Sequence, residues 1–165
     1  MLNAFLTGFT IGLSLILAIG AQNSFVLRQG LISQHVFTVA LFCALSDALL
    51  ILIGVSGISI FQNYTNKVAD LLFFFTATWL FGYGLLKIKD AINGNSTLIA
   101  KGISHKGIGS TLTFLIVVTF ANPHVYLDTV VLIGFISQQF SGVNKIAFTL
   151  GASIASFVFF FTLAY

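Results

Sequence analysis

Two aspartates lie near the middle of long apolar segments, where a carboxyl group is costly. Asp47 occurs in CALSDALLI and Asp128 in VYLDTVV. An acid at the centre of a membrane costs about 2.5–3.5 kcal/mol on insertion scales. No lysine or arginine lies deep in these segments as an internal counter-ion, which favours a mobile cation, either a proton or a cationic substrate. The alternatives are a structural hydrogen bond to another helix or a protonated acid that simply packs.

Two polar interruptions of apolar segments, GAQN at 20–23 and ANPH at 121–124, are the second feature. Pro123 removes a backbone donor and disfavours helix at Asn122, so we expect a helix break there, with freed backbone groups facing a cavity. In transporters, paired interruptions mark a substrate site where helix N-termini hold a carboxylate and acidic side chains hold cations. Asn23 and Asn122 therefore mark candidate carboxylate-binding ends, and a proline kink needed only for packing is the alternative.

Further polar residues beside the breaks complete the candidate site. Gln22 precedes Asn23, and Tyr126 is two residues from Asp128. His124 can relay protons because imidazole changes charge near neutral pH, or it can be a structural histidine beside the break. Three scattered histidines and one cysteine show no spacing typical of metal ligands, so we predict neither a metal nor a cofactor.

The elements that position these residues are predicted to be membrane-spanning helices. Of the 165 residues, 58% are hydrophobic and 7% are charged, which leaves too few polar side chains to cover a soluble globule. Segments such as LSLILAIG and ALLILIGV are apolar on every side, unlike the alternating strands of a membrane barrel. We predict one all-α transmembrane domain over residues 1–165, a polytopic helix bundle. Its five spans are placed at about 3–26, 35–60, 67–87, 108–138 (interrupted at 122–123) and 146–165.

Small residues are expected to let these helices pack closely. The glycines considered are Gly8, Gly12, Gly54, Gly57, Gly82 and Gly84. Such residues allow two helix backbones to approach each other in a membrane, and we assign them no chemical role. The single cysteine, Cys43, is also interpreted as a packing residue.

Basic residues indicate the orientation in the membrane. The loop at 87–107 holds four of the seven lysines and arginines. The positive-inside rule places this loop and Arg28 in the cytoplasm and the N-terminus outside. Because the lysines lie at the ends of segments, the net charge of +3 does not indicate a nucleic-acid partner. The predicted surroundings are the lipid bilayer, and a homo-oligomer is compatible with the sequence.

A weak internal repeat relates the two halves of the chain. GLISQ at 30–34 is similar to GFISQ at 134–138, an offset of 104, whereas Asn23 and Asn122 are 99 residues apart. Three spans in each half would give a 3+3 inverted repeat, because three crossings reverse the direction of the chain. The second copy is predicted to be incomplete, since two spans fit before Tyr165.

The stretches IGAQNSFVLRQGL, CALSDALLI and ANPHVYLDTVVLIG together resemble the LysE/ArgO-type exporters of basic amino acids. This resemblance implies a multi-pass carrier in the bacterial inner membrane that exports L-arginine or L-lysine. It also implies a sixth hydrophobic segment, so we expect the chain to be short at its C-terminus. The positions that match the family motifs are Gln22, Asn23, Asp47, Asn122, Pro123, His124, Tyr126, Asp128 and Thr129.

The sequence therefore predicts secondary-active export of cationic amino acids coupled to protons. Asp47 and Asp128 are expected to bind the two cationic groups of the substrate, or to divide between substrate and proton. One alternative is an inactive short family member or a structural membrane subunit. Another is an intramembrane enzyme that uses the two aspartates as an acid and base, although neither aspartate lies in a Gly-x-Gly-Asp setting.

Overall fold

The computed structural model describes residues 1–17, 20–61 and 107–165, together with isolated positions between 74 and 89. Within these residues the chain forms helices and no β-strand, which confirms the all-α prediction for the part described. The predicted helix at 67–87 and the basic loop at 87–107 lie outside the described residues, apart from those isolated positions. The α-helices are α1 (Leu2–Ile16), α2 (Ala21–Leu31), α3 (Val36–Phe61), α4 (Ile108–Phe120), α5 (Pro123–Val125), α6 (Ile133–Ile136) and α7 (Gly142–Ala164).

The second half also contains two less common helix types. A π-helix, Tyr126–Leu132, joins α5 to α6, and a 3-10 helix, Ser137–Gln139, follows α6. Together these segments continue the helical path from Pro123 to Gln139 with changes in helical pitch. The π-helix carries Asp128, so the candidate site lies where the helix is wider than an α-helix.

Two of the predicted helix boundaries require correction. The helix predicted at 3–26 is two helices, because α1 ends at Ile16 and α2 begins at Ala21. The helix predicted at 146–165 begins four residues earlier, at Gly142, whose φ of 51° is easily adopted by glycine. The prediction took Lys145 as a boundary, but a charge marks the edge of the hydrocarbon core rather than the end of a helix.

Among the described residues, two helices are long and apolar enough to cross a membrane, Val36–Ile58 and Gly142–Ala164. The bent pair of α1 and α2 adds a third if it counts as one span. The shorter apolar helix α4 ends at Phe120, and the next helix begins at Pro123, so the break lies at 121–122, one residue before the predicted 122–123. The described residues thus support two or three spans, and neither the count of five nor the inverted repeat is confirmed.

Helices α1 and α7 pack closely because glycines on both helices lie at their contact. A Cβ atom added to Gly8 would collide with the Phe148 carbonyl oxygen, and one added to Gly151 would collide with the Phe5 carbonyl oxygen. Gly12 similarly faces Ala152, with 3.1 Å from the position of its missing Cβ to the Ala152 Cα atom. The predicted packing role is therefore confirmed for Gly8 and Gly12.

Helix α3 packs against the π-helix and α6 in the same way. A Cβ atom on Gly54 would lie 2.5 Å from the Val130 carbonyl oxygen, and one on Gly134 would lie 2.7 Å from the Gly54 carbonyl oxygen. The packing role is confirmed for Gly54 too, but Gly57 and Gly82 face open space. Gly84 lies outside the described residues.

The hydrophobic core consists of two clusters along α3 and α7. One joins α2, α3, α4 and α7 through buried residues that include Val26, Ala40, Leu115 and Phe160. The other joins α1, α3, α6 and α7 through residues that include Ala4, Ile51, Ile133 and Phe148. The clusters hold both helix breaks against the same pair of long helices.

Candidate functional site

The first helix break separates α1 from α2, whose axes differ by 85°. Gly20 precedes α2 in an extended conformation, with φ −103° and ψ −179°. The side-chain nitrogen Nδ2 of Asn23 donates a hydrogen bond of 2.9 Å to the carbonyl oxygen of Ile16. Because the last carbonyl groups of a helix have no partner within it, Asn23 caps the end of α1 across the break.

The second break separates α4 from α5. The Tyr126 hydroxyl donates a hydrogen bond of 2.9 Å to the carbonyl oxygen of Phe120, the last residue of α4. Asn122 Oδ1 accepts a hydrogen bond of 3.2 Å from the backbone N–H of His124, which is the usual geometry of an N-cap. Pro123 is the first residue of α5, where its missing N–H costs nothing.

The two breaks share one arrangement, in which a side chain beyond the break caps the last carbonyl before it. Ile16 and Phe120 are 104 residues apart, the same offset as GLISQ and GFISQ. The side chains of Asn23 and Asn122 differ in role: Asn122 is an N-cap, and Tyr126 donates across the second break as Asn23 does across the first. The amide and phenol groups differ in chemistry, but each donates to the carbonyl oxygen of the last residue of a helix.

We expect Asn23→Ala and Tyr126→Phe each to lower the stability of the folded protein by about 1 kcal/mol, because each leaves a helix-terminal carbonyl without its donor. Thermal unfolding in detergent measures this loss. Thr113→Val is the matched control, since the Thr113 hydroxyl also donates to a carbonyl oxygen, that of Gly109, within an intact helix. Equal stability of Tyr126→Phe and Thr113→Val would contradict the capping role.

Asp128 lies on the π-helix with a partner in the preceding turn. Its Oδ2 atom is 2.7 Å from Nδ1 of His124, and the two side chains are 16% and 58% exposed, respectively. Asp128 therefore has a histidine partner within the chain, although no lysine or arginine lies beside it in the described residues. The neighbouring Thr129 hydroxyl donates to the Val125 carbonyl oxygen at 2.6 Å and is buried.

Asp47 is the buried centre of the site. Its residue is 4% exposed, and its carboxyl group lies beside the Ser156 hydroxyl of α7 and within electrostatic range of Asp128. Cys43, one turn earlier on α3, also lies near Asp47 and contacts the side chain of Gln22 on α2. Four segments, α2, α3, α7 and the π-helix, therefore bring polar groups to one place in the bundle.

Two of these polar groups have no hydrogen-bond partner among the described residues. They are the amide nitrogen Nε2 of Gln22 and the hydroxyl oxygen of Ser156, which lies beside Asp47 without reaching hydrogen-bond geometry. Gln22 is 5% exposed and Ser156 is fully buried. A buried polar atom without a partner costs about 1–3 kcal/mol. The site thus holds unused donors next to a carboxyl group.

The sequence profile of the LysE type translocators matches residues 13–165. This chain belongs to the LysE type translocator family. The arginine exporter protein ArgO of Salmonella enteritidis PT4 is 37% identical over 164 residues, covering 99% of this chain and 78% of the relative. ArgO of Pectobacterium carotovorum subsp. carotovorum is 36% identical, covering 99% and 80%. The putative amino-acid transporter YggA of Aeromonas salmonicida is 38% identical over 160 residues, covering 97% and 78%.

No solved structure matches this LysE-type translocator significantly. Its family consists of transporters, so the chain is a membrane transport protein and the enzyme alternative is excluded. The predicted resemblance to LysE/ArgO-type exporters is confirmed by the family match and by the named relatives. Among the described residues of the translocator, no group of three or more histidine, cysteine or acidic side chains is arranged to hold a metal.

The structure of this LysE-type translocator separates the predicted site residues into two groups. The polar cluster consists of Gln22, Cys43, Asp47 and Ser156, and Asp128 with its partner His124 lies beside it. The helix breaks are shaped by the other predicted residues, Asn23, Asn122, Pro123 and Tyr126. Two residues of the cluster were missed, Ser156 and Cys43. Ser156 lies in GASIASFV among small residues, and nothing in that pattern marks its hydroxyl as facing Asp47.

Proposed function

We propose that this LysE-type translocator exports L-arginine or L-lysine from the cytoplasm across the bacterial inner membrane as a secondary-active carrier. The observation that carries the proposal is the pair of carboxyl groups, Asp47 on α3 and Asp128 on the π-helix, which lie within electrostatic range of each other. A basic amino acid has two cationic groups, and two nearby carboxyl groups offer each of them a partner. The names of the arginine exporters among the relatives support the same cargo.

Exchange with protons is the proposed source of energy. Moving one positive charge outward against an inside-negative potential costs about 2.3 kcal/mol per 100 mV, and an inward proton cancels that charge movement. The pair formed by His124 and Asp128 supports this coupling, because imidazole and carboxyl groups at 2.7 Å can hold one proton in alternative places. A cation arriving at Asp128 competes with His124 for the carboxylate.

The proposed topology places the N-terminus outside and the loop at 87–107 in the cytoplasm, with five spans in the chain. A 3+3 inverted repeat is supported by the two capped breaks, which share the offset of 104 residues. The long helices that follow the breaks have a similar offset, since α3 and α7 begin 106 residues apart, at Val36 and Gly142. In transporters with such repeats the binding site lies between the two halves.

Counterflow in proteoliposomes tests the proposal. Vesicles that contain the purified protein and are loaded with unlabelled L-arginine are expected to take up labelled L-arginine, and L-lysine inside is expected to replace L-arginine. An imposed proton gradient should increase the rate of net movement if protons exchange with the substrate. Absence of arginine movement above that of empty vesicles, with correctly folded protein, would overturn the export function and favour a structural subunit.

A further inference from the structure

Gln22 and Ser156 are both more than nine-tenths buried, and both have polar atoms without a partner in the described part of the chain. A short series of contacts connects the two side chains. The Gln22 side chain contacts Cys43, Cys43 lies near Asp47, and Asp47 lies beside Ser156. A donor amide, an acidic acceptor and a hydroxyl group that can do both are therefore close together.

The beginning of α2 adds further donors on the side of Gln22. Gly20 occupies the N-cap position without a side chain, and α2 has no side-chain cap. The first backbone N–H groups of a helix have no partner within it and carry a partial positive charge. Gln22, the second residue of α2, thus places its unpartnered amide at the end of a helix that favours an anion.

We propose that Gln22, Asp47 and Ser156 form a subsite for the common head group of an amino acid, its α-carboxylate and α-ammonium. Gln22 and the first N–H groups of α2 bind the carboxylate, whereas Asp47 and Ser156 bind the ammonium. The two charged groups share one carbon atom in the substrate, so the groups that bind them must be neighbours, and Cys43 contacts Gln22 and lies within electrostatic range of Asp47. Asp128 and His124, which are more exposed, then face the cationic side chain. This assignment rests on the proposed export of basic amino acids.

The chemistry of the cluster favours this orientation over the reverse one. A guanidinium group consists of donors alone, so it would leave the Gln22 amide without an acceptor. An α-carboxylate supplies that acceptor and can also accept from the backbone of α2. The head group therefore satisfies the unpartnered donor, and the side chain does not.

The test compares arginine with agmatine, which is arginine without its carboxylate, as inhibitors of arginine counterflow in proteoliposomes. The wild-type protein is expected to bind arginine at least about tenfold more tightly than agmatine, because hydrogen bonds to a charged group are lost in agmatine. Gln22→Leu should weaken arginine binding by about tenfold and leave agmatine binding unchanged. Ser156→Ala should weaken both, because both compounds keep the amino group.

Gln29→Leu is the matched control, since Gln29 is also buried and has an unpartnered oxygen, two turns further along α2. It should leave the ratio of arginine to agmatine affinity unchanged. Equal loss of arginine and agmatine binding in Gln22→Leu would overturn the head-group subsite. Absence of arginine counterflow in the wild-type protein would instead defeat the proposed function, so the two failures are distinguishable. Removing an unpartnered buried amide is not expected to prevent folding, and thermal unfolding of each variant checks this.

Discussion

Replacing Asp47 with asparagine is expected to lower kcat/KM of arginine transport by at least about 30-fold, because loss of one partner of a buried charged pair costs about 2–5 kcal/mol. Asparagine has nearly the same shape as aspartate and keeps an oxygen that can face Ser156. The change therefore removes the charge while leaving the packing of α3 in place. Initial rates of counterflow over a range of arginine concentrations measure the effect.

Asp128→Asn is expected to have the smaller effect of the two. Asp128 is more exposed than Asp47, so water screens its charge, and it already shares its carboxyl group with His124. Asp47→Glu is the control for charge, since it restores the carboxylate one methylene further out and should recover part of the lost transport. Unchanged arginine transport in both asparagine variants would contradict the assignment of the carboxyl groups to the cargo.

Gly151→Ala is expected to lower the stability of the protein by about 1–3 kcal/mol, because the new methyl group would occupy the position of the Phe5 carbonyl oxygen. Gly8→Ala should have a similar effect through the Phe148 carbonyl oxygen. Both obstacles are backbone atoms, which cannot rotate away as a side chain can. Thermal unfolding in detergent and the yield of folded protein measure the loss.

Gly57→Ala is the matched control for these substitutions. Gly57 lies in α3, and nothing is within 4 Å of the position that its Cβ atom would occupy. Alanine there should leave stability unchanged or raise it by about 0.5–1 kcal/mol, since glycine weakens a helix interior. Equal stability of the Gly151→Ala and Gly57→Ala proteins would contradict the close contact of α1 with α7.

Helix positions that depend on apolar runs and on proline were predictable from the sequence. Helix α3 was expected at 35–60 and lies at Val36–Phe61, and α4 begins at 108 as expected. The break at Asn122 and Pro123 was also predictable, because proline cannot continue the hydrogen-bond ladder of α4. The interruption at GAQN was also marked, but not the end of α1 at Ile16, since this stretch contains no proline and the helix end is capped by a side chain seven residues away.

The contacts of each polar side chain were harder to predict from the sequence. The contact of Ser156 with Asp47 joins residues on two separate helices, so it depends on how α7 rotates against α3. The π-helix around Asp128 has no sequence signal of its own, and it changes which residues share a face with His124. Asp47, Asp128 and Gln22 could be selected from their types, whereas Cys43 and Ser156 required the packed structure.

Helices α1 and α4 are each too short to cross a membrane alone. With 15 and 13 residues, they are about 22 Å and 20 Å long, whereas the hydrocarbon core is about 30 Å thick. A helix of this length that starts at one surface ends inside the hydrocarbon core, where no water is available to free backbone groups. The side chains of Asn23 and Tyr126, which donate to the carbonyl oxygens of Ile16 and Phe120, therefore take the place of water at the two helix ends.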